Sequence, residues 1–135
     1  MCTLRVYGTD FDVEAFLAAS SLIPSTIFRK GEPRWPESRP DGPKQERSGV
    51  CIGVSDADWS NLPAQVSDAE KFLIAHQETL EALAGLPGIE DFVLDFPIEL
   101  RADGVRLATQ TDQFPSSLVR LAGALGLGLA LTLYS

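Results

Sequence analysis

The first 32 residues constrain the fold more than any other stretch. Cys2, Leu4 and Val6 alternate with Thr3, Arg5 and Tyr7 and stop at Gly8, a period of two that predicts a strand with one buried face. The pattern then changes. Asp12 stands where its carboxylate can accept an orphan amide of a first helical turn, and Phe11 and Phe16 occupy the two positions of a hydrophobic staple. Val13, Phe16 and Leu17 make a short apolar stripe. Pro24 forbids further helix, and Ser25 to Lys30 read as a second strand. A strand, a short helix and a second strand in so little chain predict a helix lying across the sheet that the strands build.

From Gly31 to Ser48 the composition shifts. Pro33, Pro36, Pro40 and Pro43 lie among Gly, Ser and charges, which predicts a mobile loop, long for a compact domain. Gly49 to Val54 is apolar and partly β-branched, a third strand. Asp56 to Val66 reads as a connector. Ser67 and Glu70 have the spacing of a capping box, and the main helix after them carries Ala69, Phe72, Leu73, His76, Leu80 and Leu83 on one face, with Gly85 as its C-terminal stop.

Phe92, Leu94, Phe96, Ile98 and Leu100 alternate with Asp91, Val93, Asp95, Pro97 and Glu99, the clearest strand of the chain, in which Pro97 suggests an edge or a bulge. Asp103-Gly104 suits a two-residue hairpin turn that would set Ala102 against Val105 and Leu100 against Leu107. Pro115 fits the first position of a third helix striped by Leu118, Leu121, Ala122 and Leu125 and stopped by Gly126. Leu127, Leu129, Leu131 and Leu133 mark a last strand. The order βαβ-βαβ-βαβ predicts a single α+β domain over residues 1–135. Its expected architecture is a mainly antiparallel sheet of about six strands with three helices on one face, a sandwich related to ferredoxin-like folds.

With its elements placed, the chain resembles the domain of unknown function 4279 family of small, mostly bacterial proteins. The matching residues are Leu4-Arg-Val-Tyr-Gly8, Asp12, the return Ser21-Leu-Ile-Pro-Ser25, and Phe28-Arg-Lys-Gly-Glu32. The tail Leu118-Val-Arg-Leu-Ala-Gly-Ala-Leu-Gly126 leading to Leu133-Tyr134 matches as well. Members often carry a tryptophan on the strand after the loop, where this chain has Val50-Cys51-Ile52. The family has no established activity to transfer, although similar small domains occur among bacterial immunity proteins.

The net charge of −8 argues against a nucleic-acid partner, which wants a basic surface, and would favour encounter with a basic protein. The longest apolar run, Leu121 to Tyr134, is too short to span a bilayer, and the N-terminus lacks the basic and apolar regions of a signal peptide. Cys2 and Cys51 have no metal-ligand spacing, so no metal or cofactor is expected, and the expected setting is a reduced cytoplasm.

Candidate chemistry is sparse. His76, the only histidine, lies by the apolar stripe of the main helix and reads as a packed residue. Asp56-Ala-Asp58 fails as a calcium loop, since Asn61 and Ser67 stand where glycine and glutamate are required. Gly123, Gly126 and Gly128 lie between a helix and a following strand, the wrong order for a dinucleotide loop. No serine has an identifiable base partner.

Two surfaces remain. Arg29, Lys30, Arg34 and Trp35 could hold an anion, with the indole stacking on a ring or guanidinium. Asp91, Asp95 and Glu99 share the wet face of one strand and could meet a basic partner. The leading expectation is a non-enzymatic protein-interaction module of immunity or regulatory type. The alternative is a small anionic-ligand-binding protein, or an unrecognised enzyme, using the basic 29–35 turn. A homodimer burying the open sheet face through Tyr7 and Val93 is a third.

Overall fold

The computed structural model describes residues Met1–Ser135. The chain runs β1 (Thr3–Gly8), α1 (Val13–Ala19), β2 (Thr26–Phe28), β3 (Pro33–Trp35), β4 (Arg39–Lys44), β5 (Ser48–Gly53), α2 (Leu62–Ala75), α3 (Gln77–Ala84), β6 (Asp91–Glu99), α4 (Ser116–Ala124) and β7 (Gly128–Tyr134). Five strands form the main sheet in the order β2-β5-β1-β6-β7, and β3 and β4 form a separate two-stranded ribbon. The class is α+β, as the element order predicts. β1 is antiparallel to both neighbours, β2 is antiparallel to β5, and β7 runs parallel to β6, so the sheet is mixed.

Period-two burial sets which side of the sheet is covered. Leu4 and Val6, Val50 and Ile52, and Phe92, Leu94, Phe96 and Ile98 all turn to one side. There they join Val13 and Phe16 of α1, Leu62, Val66, Ala69 and Leu73 of α2, Leu80 and Leu83 of α3, and Leu118 and Ala122 of α4 in one apolar cluster. All four helices therefore lie on the same face. Asp12 caps α1 by accepting from the Ala15 amide at 3.0 Å, and the Phe11 and Phe16 rings sit 6.2 Å apart.

Residues 31–48, which their prolines mark as a loop, instead hold two paired strands. Backbone bonds cross between the two limbs, Gly31 N–H donating to the Gln45 carbonyl at 2.9 Å and Gln45 N–H to that of Glu32 at 2.7 Å. Pro33 lies opposite Lys44, and Trp35 opposite Arg39. The β2–β5 pair thus continues into an arm, β3–β4. A two-stranded ribbon has two outer edges, so a proline can sit in it without removing a needed donor.

The main helix also differs. It starts at Leu62, where Asn61 accepts from the Ala64 amide at 3.1 Å and Pro63 lies in the first turn. Ser67 is inside it, and Glu70 instead accepts from the Ser117 hydroxyl at 2.6 Å. The expected single helix breaks at His76, which ends α2 and begins α3, its ring 4.6 Å from that of Phe72.

The hairpin expected at Asp103-Gly104 does not form. Asp103 Oδ1 accepts the amides of Val105, Arg106 and Leu107, curling the chain into a local turn, and Val105 is 90% exposed. With no strand there, the α4 crossover lays β7 directly beside β6. Pro97 is tolerated inside β6 because β1 begins only at Thr3, opposite Asp95, so its pairing with β6 does not reach Pro97. Beyond that point the Gln65 amide donates to the Pro97 carbonyl at 2.8 Å.

Replacing the N-cap in Asn61→Ala is expected to cost about 1 kcal/mol in denaturant unfolding, while Ser67→Ala stays within about 0.5 kcal/mol of the parent. The reverse ranking would place the helix start at Ser67.

Candidate functional site

The uncovered face of the sheet is built by the other half of each alternation. Strand register brings together Thr26 and Phe28 of β2, Gly49 and Cys51 of β5, Thr3, Arg5 and Tyr7 of β1, Asp91, Val93, Asp95, Pro97 and Glu99 of β6, and Ala130, Thr132 and Tyr134 of β7. Tyr7 and Phe28 flank Gly49 from either side and meet edge to face, their centroids 4.8 Å apart. A Cβ on Gly49 would come within 2.4 Å of the Tyr7 ring and 2.7 Å of the Phe28 ring, so glycine is what lets both rings lie across the strand.

Tyr7 is the hub of this face. Its hydroxyl hydrogen-bonds the Cys51 sulfur at 3.3 Å. The guanidinium of Arg47 lies 5.4 Å from its ring centroid and that of Arg5 lies 5.9 Å away, both within cation–π range. Burial, then the bond to Cys51, pushes the phenol up from its ordinary range, so it stays protonated through neutral pH. Arg47 Nη1 also donates to Asp91 at 2.7 Å, and that bond raises the guanidinium further. Arg5 Nε is enclosed and has no hydrogen-bond partner.

Where the arm leaves the sheet, Tyr7, Phe28, Arg34, Gln45, Glu46 and Arg47 line a cleft of about 350 Å³. Two rings and two guanidiniums beside a polar wall can hold a small group carrying negative charge. A larger cavity, about 670 Å³, lies on the helical side between α2 and residues 111–117. Its acids are engaged: Glu70 accepts from Ser117, and Asp112 accepts from Gln110 and Arg101. The open face is the stronger candidate because its charged and aromatic groups converge there.

The basic turn does not converge. Arg29 reaches back to Glu14 at 2.7 Å, and the Lys30 backbone amide donates to the Ser48 hydroxyl at 2.9 Å. Arg34 Nε bonds the Lys44 carbonyl within the arm, which sets its guanidinium at the cleft. Trp35, 48% exposed, stacks with Arg39 at 5.7 Å, farther out. Of the four residues, only Arg34 lines the cleft. The acidic row does share one face, but its members differ. Asp91 is paired with Arg47, Asp95 accepts from the Thr132 hydroxyl at 2.7 Å, and Glu99 is exposed.

Arg47, Phe28 and Cys51 were not legible as site residues, because their meeting depends on β5 lying between β1 and β2. The signal in the sequence was the pair Tyr7 and Val93, apolar side chains at positions that alternate with the core residues of their strands. No group of three or more His, Cys, Asp or Glu side chains lies close enough to share a metal ion, and no helix is long and apolar enough to cross a membrane.

The two thiols, both free, differ in accessibility. Cys2 is fully enclosed, and burial pushes it up to about 12 from an ordinary 9.0. Native protein at neutral pH is expected to alkylate at Cys51 and spare Cys2, by mass spectrometry of the peptides. Since the folded Cys2 keeps its proton where the unfolded thiol loses it, its stabilisation is whole below pH 9.0 and is lost as pH rises toward about 12. Denaturant midpoints should fall over that window, less steeply in Cys2→Ala.

Compared with protein-family models, curated proteins and solved structures, the chain matches none significantly.

Proposed function

We propose that this protein is a non-enzymatic protein-interaction module of the domain of unknown function 4279 kind, acting in the cytoplasm as an immunity-type or regulatory partner of a basic protein. The observation that supports it most is the one-sided sheet. Every helix covers the same face, while the other carries Tyr7, Arg5, Asp95 and Glu99 in one patch, beside an arm that presents Trp35 and Arg39. The net charge of −8, with Asp95 and Glu99 not neutralised by any ion pair, favours a basic surface opposite. The first four strands of the main sheet, with α1 and α2–α3 between them, follow the β-α-β-β-α-β order of a ferredoxin-like sandwich, with β5 set between β1 and β2. α4 and β7 extend that unit.

Capture from a lysate of its own cells, with wild type and Asp95→Lys/Glu99→Lys as baits at low and high salt, tests this reading. A basic protein should be held by wild type at low salt, be released at high salt, and be absent from the variant, whose circular dichroism should be unchanged. Identical capture by both baits would count against it.

The cleft between Arg34 and Arg47 favours a second reading, a small anionic ligand seated on Tyr7 and Phe28. Sugar phosphates, nucleotides or carboxylates should then raise the melting temperature, and Arg34→Ala should abolish the rise. Flat curves across that panel would remove this reading.

A further inference from the structure

The two edges of the main sheet are treated differently. β2 is only three residues long, follows Pro24, and is succeeded by Arg29 and Lys30, which are devices that discourage pairing with another chain. β7 has none of them. It is seven residues long, lies at the opposite edge, and no charged residue occurs from Leu121 to Ser135. Its ladder runs to β6 alone, and no backbone bond from another segment reaches Leu129–Leu133. On the helix side, Leu131 and Leu133 stay 42% and 57% exposed and line a shallow cleft with Ile98, Leu100 and the polar residues Gln110, Thr111 and Asp112. A free, uncharged, apolar edge of this length is a template for strand addition.

We propose that β7 is a self-association edge, on which two copies of this chain pair Gly128–Tyr134 antiparallel about Leu131 and join their sheets into one. The strand is complementary to itself in that register. Full overlap sets Leu131 opposite Leu131 of the second copy and Leu129 opposite Leu133, all on the helix side, where the register with β6 has already placed them beside Leu94, Phe96 and Ile98. On the open side Ala130 meets Thr132, and Tyr134 meets Gly128. The Tyr134 ring packs against Trp59 of its own chain, 5.5 Å between centroids, and leaves the strand's outer backbone edge free. The charge distribution favours the same occupant. Two molecules of net charge −8 repel wherever their charged surfaces approach, and β7 is a surface where they can meet without opposing like charges. Association through it should strengthen as salt screens the rest of the molecule, opposite to the behaviour expected of a basic partner.

Sedimentation of the full chain across a dilution series at two salt concentrations is the test. The expected result is a reversible monomer–dimer equilibrium shifted toward dimer by salt, with Leu131→Lys monomeric at the same concentrations. Leu131→Cys, in a Cys51→Ala background, gives a readout that does not depend on destabilising the fold. The two Leu131 positions would face each other at a separation a disulfide can bridge, so mild oxidation should link them. Ile27→Cys on the β2 edge should not link at that rate. A chain that stays monomeric at every concentration overturns the proposal, whatever other strand the edge accepts. A dimer that survives Leu131→Lys, or a Leu131→Cys chain that links no faster than Ile27→Cys, overturns it too.

Discussion

Leu4 and Val6, Val50 and Ile52, and Phe92, Leu94, Phe96 and Ile98 point to one side of a sheet, and every helix of the protein packs there. Each fully buried leucine, isoleucine or phenylalanine removes about 1.5–3 kcal/mol worth of apolar surface from water, so this one-sided cluster outweighs any individual hydrogen bond or surface ion pair. Its consequence is geometric. In a strand, a residue committed to the core commits its neighbours to the opposite face, so burying Leu4 and Val6 presents Arg5 and Tyr7 to the other side. The open face is therefore a by-product of how the core is filled, and its composition is free to serve a partner.

The arm completes that face. Because β3–β4 continues the β2–β5 pair, Arg34 and Arg47 are brought to one cleft although they lie on opposite limbs of the arm. The exposed pairs here, Arg29–Glu14 and Arg47–Asp91, contribute at most about 1 kcal/mol each. Their role lies in placing charge: Glu14 draws Arg29 away from the cleft, and Asp91 holds Arg47 against Tyr7.

Local chemistry made much of the fold legible. Asp12 as a cap, the Phe11–Phe16 contact, the alternation from Asp91 to Glu99 and the apolar stripe of α4 are each decided by residues close in sequence. The errors came where a local signal has two readings. Ser67 and Glu70 have capping spacing but also suit a helix interior, and Asn61 with Pro63 was the stronger start. Asp103-Gly104 can turn a hairpin, but here Asp103 satisfies the next amides itself, leaving no strand to pair. Prolines at 33, 40 and 43 look like breakers until the segment is seen to be a ribbon with two free edges. Of the candidate residues, Arg34 and the shared face of Asp91, Asp95 and Glu99 could be read from spacing. The cleft itself could not.

The sequence by itself determined which faces of β1, β5 and β6 turn to the core, where α1 begins, and that residues 121–135 carry no charged side chain. These follow from periodicity, capping chemistry and composition, which act over a few residues. Only the tertiary structure decided that β5 runs between β1 and β2, that Tyr7 meets Cys51, Phe28 and Arg47, and that β7 ends the sheet in parallel with β6. Those outcomes depend on which strands find each other across long separations. Many pairings satisfy the same alternation, and the choice among them is made by how the helices close over a single shared core.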